Sequence, residues 1–250
     1  MLQSYPPSLS LAITAIMTAL VCIITLVFQI SIPQTQGFFN LGDSAVYISA
    51  ILFGPIIGAF SGGVGSALAD LILGYGVFAP ITLVTKGAEG FVVGLISNSL
   101  IPPKKINTRW KVFISLTGLI VGIIIILIGL LFYSTPWQIG VGILGSYQFF
   151  ELSPIPIVWV VLGCISAALI IVVGIRTRPE VSWLVFSILI GGSCMVLGYF
   201  VAEYWLLGFG PAAFVEVPFN IGQMTIGGII AIPVSQSLKN TLPFLMVSQE

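Results

Sequence analysis

The chain has 250 residues, of which 58% are hydrophobic and only 6% charged, and its eight basic and eight acidic residues leave no net charge. Soluble domains carry about 25% charged residues, so this composition excludes a water-soluble globular protein. Apolar runs of about 18 or more residues recur along the chain and predict an all-α integral membrane protein in the cell membrane.

The same composition narrows the possible chemistry. The chain contains no histidine, and its three cysteines are scattered, so we expect neither a metal nor a cofactor. It has no GxxxxGK[ST] motif, so any use of ATP must come from a partner protein. We expect no catalytic residues, no nucleic-acid partner and no enzymatic activity.

The apolar runs predict about eight transmembrane helices. In chain order they cover about 10–30, 44–57, 61–73, 81–100, 112–132, 157–175, 183–207 and 214–235. Pro55 and Gly58 are expected to end the second helix, and the polar stretch 31–43 is expected to be an ordered loop. In the first helix, Ala15 and Ala19 form a stripe of small residues. Such a stripe packs against a helix of the same chain or against a partner subunit.

The basic residues predict the orientation, because cytoplasmic loops retain lysine and arginine. Seven of the eight basic residues fall in the 101–111 loop, in the 176–180 loop and after the last helix. They are Lys104, Lys105, Arg109, Lys111, Arg176, Arg178 and Lys239. Both termini are therefore predicted to lie inside. The exception, Lys86, falls within a predicted helix.

The other polar groups of the predicted helices lie in the outer half of the membrane. Ionisable side chains at this depth are costly and are candidates for function. The candidate substrate-binding residues are Asp43, Lys86, Glu89, Tyr199, Glu203, Glu216, Asn220 and Gln223. Three of them, Glu216, Asn220 and Gln223, are spaced by four and three and share one helix face.

Structural roles compete with binding at several of these positions. Asp43 also fits a helix N-cap. Lys86 could pair with Glu89 or Asp70 simply to neutralise buried charge. Asp70 is therefore left open between a structural pair and a place in the pocket.

At these residues the chain resembles the substrate-binding S components of energy-coupling factor (ECF) vitamin transporters, in particular the riboflavin-type group. The shared motifs are FNLGDSAVYISAILFGPIIGAFSGGVGSALADLILGY, APITLVTKGAEGFVVGL, GYFVAEYWLLGFGPAA and AFVEVPFNIGQ. Ala15 and Ala19 match the AxxxA motif of the family's first helix. The resemblance covers about 12–100 and 191–233.

The resemblance implies a six-helix core in a single transmembrane domain, 1–250. Residues 10–111 would supply four core helices, 112–178 an inserted helix pair, and 179–250 the last two core helices. It also implies high-affinity capture of a vitamin or precursor from outside, beneath a lid formed by the first outer loop. A transmembrane T subunit, docked at Ala15 and Ala19, and two ATPase subunits would drive release inward as the protein topples in the membrane.

The ligand class follows from charge. Five acids and one lysine disfavour a strongly anionic ligand and suit a donor-rich heterocycle, such as a flavin or an aminopyrimidine. Two alternatives remain open: a secondary transporter coupled to an ion gradient, and an intramembrane enzyme that uses Asp70 and Glu203 as acid and base. The predicted helices show no polar track for an ion in their inner halves, and no nucleophile–base pair supports an enzyme.

Overall fold

Helices form wherever the sequence has an apolar run. The computed structural model describes residues 6–33, 35, 37–99, 107–133, 136–153 and 155–241. Within these ranges the eight predicted helices are confirmed. They are α1 (Pro7–Val27), α2 (Gly42–Phe53), α3 (Pro55–Leu73), α4 (Ala79–Ser99), α5 (Thr108–Phe132), α6 (Pro156–Arg176), α7 (Pro179–Val201) and α8 (Glu216–Thr241). Two of the predicted inner lysines, Lys104 and Lys105, lie outside the described residues.

Seven of the helices in the described ranges are long and apolar enough to cross a membrane. The exception is α2, whose 12 residues give a length of about 18 Å against a hydrocarbon core of about 30 Å. A π-helical turn, Ala202–Leu206, continues α7, and a 3₁₀ turn, Gly210–Val215, leads into α8. The chain is thus a multi-pass membrane protein in which α2 is an apolar helix shorter than the other seven described helices.

The boundary between the second and third helices differs from the prediction. Pro55 begins α3 instead of ending α2, and the turn lies one residue earlier, at Gly54. Gly54 has a φ of 86°, in the left-handed region that glycine adopts without a steric penalty. Proline suits the first turn of a helix because that position needs no N–H donor. The predicted second helix, 44–57, was therefore too long.

The segments predicted as an outer loop and an outer connection form a small antiparallel sheet. Its four strands are β1 (Gln29–Ile32), β2 (Gly37–Asn40), β3 (Trp137–Ile143) and β4 (Ser146–Leu152), in the order β2-β1-β3-β4. Pairing of β1 with β3 brings the hairpin after α1 beside the hairpin after α5. Both segments thus lie at the same end of the helices, as the predicted topology requires.

Side-chain hydrogen bonds fasten the two hairpins together. Gln29 accepts hydrogen bonds through Oε1 from the Gly145 amide (3.1 Å) and the Tyr147 hydroxyl (3.2 Å). Tyr75, in the turn before α4, donates to the Tyr147 hydroxyl over 3.1 Å. Burial raises the pKa of the Tyr147 phenol above its ordinary value, so this residue keeps its proton. The connection between α5 and α6 thereby supports the first hairpin.

Small residues allow the helices around the sheet to approach closely, as the glycine-rich sequence of α3 predicts. A Cβ atom at Gly63 would lie 2.6 Å from the Leu83 carbonyl oxygen of α4, and one at Gly65 would lie 2.7 Å from the Thr18 carbonyl oxygen of α1. Either contact is too short for a larger residue. Helix α3 is therefore held between α1 and α4, and this packing fixes where its polar residues face.

Candidate substrate-binding site

A small polar cavity lies where strand β2 meets the outer ends of α1, α3, α4, α7 and α8. It is lined by Thr25, Gly37, Phe38, Asn40, Ser66, Asp70, Phe78, Thr82, Lys86, Tyr199, Glu216, Asn220 and Gln223. Its free volume is about 30 Å³, room for about one water molecule. Helices α2, α5 and α6 contribute none of these residues.

The structure brings most of the predicted binding residues to this cavity. Lys86, Tyr199, Glu216, Asn220 and Gln223 line it. The other three predicted residues, Asp43, Glu89 and Glu203, are fully buried and do not line it. Asp70, which the sequence left open, is one of the lining residues.

Lys86 is held by two carboxylates. Its ammonium forms an ion pair with Asp43 on α2 and a second one, at 3.1 Å, with Glu89 one turn further along α4. Tyr47 donates a 2.6 Å hydrogen bond to Glu89, and the Gln223 amide donates to Asp43 over 3.2 Å. We call Asp43 and Glu89 the paired acids.

This arrangement settles the structural alternatives for Asp43 and Lys86. Helix α2 has Leu41 at its N-cap position and no side-chain cap, so the capping role considered for Asp43 is wrong. The neutralising pair considered for Lys86 is present with Glu89, and Asp43 takes the place that was considered for Asp70.

The polar stripe of α8 fastens the first hairpin over the cavity. The Gln223 side-chain oxygen accepts a 2.8 Å hydrogen bond from the Asn40 amide of β2. Glu216 accepts a hydrogen bond from the Thr35 hydroxyl between the two strands. Asn220 lies between these two residues on the helix and faces the cavity. These three residues of α8 therefore line the cavity, and two of them also bind the first hairpin above it.

A second set of buried acids has no basic partner within ion-pair distance among the described residues. It consists of Asp70, Glu203 and Glu216, whose exposures are 4%, 0% and 5%. Lys86 attracts Asp70 only at longer range, and Glu203 has the Glu216 carboxyl as its neighbour. The Oδ2 atom of Asp70 has no hydrogen-bond partner in the described part of the chain, and the carboxyl of Glu203 has the Glu216 carboxyl as its hydrogen-bonding neighbour. We call these three residues the unpaired acids.

Tyr199 is positioned between the two sets of acids. Its hydroxyl donates a 2.9 Å hydrogen bond to Thr82, whose side chain lies beside Asp70. The Lys86 ammonium lies 5.9 Å from the centre of the Tyr199 ring, within the range of a cation–π contact. One face of the Tyr199 ring is therefore already in contact with Lys86.

Several lining residues were missed by sequence reasoning. Thr82 precedes Lys86 by four residues, and Ser66 precedes Asp70 by four. This spacing places each small polar residue on the same helix face as its charged neighbour, and it could have identified both. Gly37 and Asn40 carry no such signal, because only the folding of the hairpin over α8 brings them to the cavity.

The predicted docking residues lie elsewhere, in an open groove between α1 and α3. Ala15 and Ala19 are exposed there, beside Cys22, Leu26, Phe60, Leu68 and Ile72 among others. The groove has a volume of about 520 Å³ and an apolar lining. Packing of these two alanines inside the chain, the alternative left open by the sequence, is therefore not observed among the described residues. Their contact with a partner subunit remains a prediction.

The fold and the cavity define a class: a polytopic helical membrane protein with a partly enclosed site, lined by polar residues, at one end. Comparison with known proteins identifies the family. The sequence pattern of the family described as "ECF-type riboflavin transporter, S component" matches residues 8–175, about two thirds of the chain. The chain belongs to this family. The matched range extends through residues 112–175. It does not show whether 112–178 is an inserted helix pair, so that remains a prediction.

Two curated proteins are similar to parts of the chain. One is an uncharacterized protein in the gap 3′ region of Pyrococcus woesei, which is 52% identical over 77 residues, 31% of this chain and 51% of that protein. The other is the thiamine precursor transporter HmpT of Lactococcus lactis subsp. cremoris (strain MG1363), which is 33% identical over 86 residues, 34% of this chain and 52% of that protein. The chain thus spans about half the length of the curated relatives it matches.

Proposed function

We propose that this protein is the substrate-binding subunit of an ECF-type importer and captures a vitamin or vitamin precursor from outside the cell. The observation that carries the proposal is the buried polar cavity at the predicted outer end, closed by strand β2. Family membership supports the subunit type, and the similarity to the thiamine precursor transporter of Lactococcus lactis supports a vitamin precursor as cargo.

The cavity volume implies that the first hairpin moves during binding. Room for about one water molecule is too small for any heterocycle, so the present form is closed. Opening requires that the bonds from Asn40 to Gln223 and from Thr35 to Glu216 break. Closure over a ligand restores them, which couples occupation of the cavity to the order of the hairpin.

Energy for uptake would come from partner subunits. We propose that a transmembrane T subunit packs into the groove at Ala15 and Ala19 and connects the chain to two ATPase subunits. Both alanines are exposed in that groove, and small side chains let two helices approach closely in a membrane. This docking surface lies on α1 and α3, apart from the polar cavity, so binding and energy coupling can be tested separately.

The test compares binding with uptake. Ligand that co-purifies with the protein is identified by native mass spectrometry, and its uptake is measured in cells that express the chain with and without an ECF module. Asn220→Ala is expected to lose binding and uptake together. Ala19→Trp is expected to keep binding and lose uptake, whereas Ala168→Trp on the exposed face of α6 serves as the control and keeps both.

Two results would contradict the proposal. Uptake that persists without the ATPase subunits and follows an ion gradient would favour the secondary transporter. Chemical conversion of the bound compound by the purified chain would favour an enzyme. Normal uptake by Ala19→Trp would remove the docking role while leaving the binding role in place.

A further inference from the structure

The charges around the cavity do not balance within the protein. Five buried carboxylic acids and one buried lysine occupy this end of the helices, and Lys86 is already shared by the paired acids. The remaining basic residues that the structure describes are Arg109, Lys111, Arg176, Arg178 and Lys239, and all lie at or near the opposite helix ends. Among the described residues, the unpaired acids therefore have no cation within ion-pair distance.

Two of the unpaired acids reach the cavity itself. Asp70 and Glu216 both line it, on α3 and at the start of α8. The Asp70 Oδ2 atom has no hydrogen-bond partner among the described residues, although the side chain is 96% buried. Glu203 is fully buried, and its carboxyl lies against the Glu216 carboxyl, with no basic residue within ion-pair distance among the described residues. A buried carboxylate without such partners is unfavourable, so the group either takes up a proton or meets a counter-charge.

We propose that the missing counter-charge belongs to the substrate: the cavity binds a positively charged nitrogen group, which Asp70 and Glu216 contact and which Glu203 stabilises from behind Glu216. This inference rests on the proposed function and narrows its substrate class. It selects a cationic nitrogen heterocycle, or a heterocycle with a charged amine arm, over a neutral flavin. Asp70 thereby becomes a substrate-binding residue.

The other lining residues fit a flat cation. Phe38 and Phe78 line the cavity, and each is braced by a second ring: Phe38 by Tyr75 at 4.9 Å and Phe78 by Phe209 at 6.4 Å between centroids. Aromatic faces attract a cationic ring through their quadrupole. Lys86 provides no anion site, because two carboxylates already neutralise it. Phosphorylated forms of the same compound are therefore excluded as tight ligands.

The test uses two probes of nearly equal shape and different charge. One is an aminopyrimidine with an aminomethyl arm, which is cationic at neutral pH, and the other carries a hydroxymethyl arm instead. Riboflavin and riboflavin phosphate complete the panel. Binding to the full-length chain in detergent is measured by calorimetry and by thermal shift. We expect the aminomethyl compound to bind at least tenfold more tightly than the hydroxymethyl compound.

Substitutions locate the source of this preference. Asp70→Asn and Glu216→Gln keep the side-chain shapes and are expected to remove most of the tenfold preference. Glu203→Gln is expected to reduce it without direct contact. Glu151→Gln is the control, because Glu151 is an exposed acid on β4 at the same end of the protein. This variant is expected to bind both probes as the unaltered chain does.

Equal or tighter binding of the hydroxymethyl compound would overturn the proposal. So would a preference that survives in Asp70→Asn and Glu216→Gln. In that case Glu203 and Glu216 form a structural pair that shares a proton. Tight binding of riboflavin together with ATPase-dependent uptake would overturn the cation site and leave the proposed function standing. If no vitamin-like compound binds and none is taken up, both proposals fail.

Discussion

Two sets of buried acids lie at the same end of this protein, and they differ in what surrounds them. The paired acids, Asp43 and Glu89, are joined to Lys86 and to the side chains of Tyr47 and Gln223. The unpaired acids, Asp70, Glu203 and Glu216, have no basic residue within ion-pair distance in the described part of the chain. We propose that the first set stabilises the scaffold, whereas the second set binds the ligand.

Removal of Lys86 is expected to have the largest effect. Lys86→Met leaves Asp43 and Glu89 buried without their cation, and loss of one partner from a buried ion pair lowers stability by about 3–5 kcal/mol. The free energy of unfolding in detergent micelles measures this loss. Lys111→Met, which removes an exposed lysine at the start of α5, is the control and should change stability little. A small effect of Lys86→Met would mean that the ion pairs are not part of the scaffold.

Removal of the Tyr47 hydroxyl is expected to have an intermediate effect. Tyr47→Phe deletes a hydrogen bond to the buried Glu89 carboxylate, and bonds to charged groups contribute about 1.5–3 kcal/mol. Tyr147→Phe is the matched comparison, because that hydroxyl bonds a neutral amide oxygen at a half-buried position. Thermal unfolding of the two variants should show the larger loss for Tyr47→Phe. A larger loss of stability for Tyr147→Phe would mean that the hydrogen bond to Glu89 is not a main support of the scaffold.

Replacement of a buried glutamate by glutamine is expected to have the smallest effect on stability at Glu203, one of the unpaired acids. Glu203→Gln replaces a carboxylate that has no cationic partner, so the unfolding free energy without ligand should stay within about 1 kcal/mol or rise. Glu89→Gln removes a partner of Lys86 and should destabilise the protein clearly. Both residues are fully buried, so the comparison is matched. Equal losses at the two positions would show that the two sets of acids do not differ.

Much of the helical architecture was predictable, because membrane helices follow from apolar length alone. The break between α2 and α3 was misplaced, since a glycine followed by a proline can end one helix or begin the next. The sheet was missed because β1 and β2 have only four residues each. Its second hairpin carried a weak signal: the segment 146–152 is rich in aromatic residues and follows a glycine that turns the chain with a φ of 78°.

The candidate site was predictable on the helices and not on the hairpin. The spacing of Glu216, Asn220 and Gln223 placed them on one face, and the structure agrees. The bonds from Thr35 to Glu216 and from Asn40 to Gln223 join positions 181 and 183 residues apart. No local sequence pattern predicts contacts between residues so far apart in the chain. The division of the acids into two sets was hidden for the same reason, because Asp43 meets Lys86 only through the packing of α2 against α4.

A structure of the chain bound to its tightest ligand tests the central claim most directly. We predict that the ligand lies under β2, that a nitrogen of the ligand contacts Asp70 and Glu216, and that Lys86 keeps its ion pairs with Asp43 and Glu89. A ligand that takes Lys86 away from Asp43 and Glu89, or that lies outside this cavity, would contradict it.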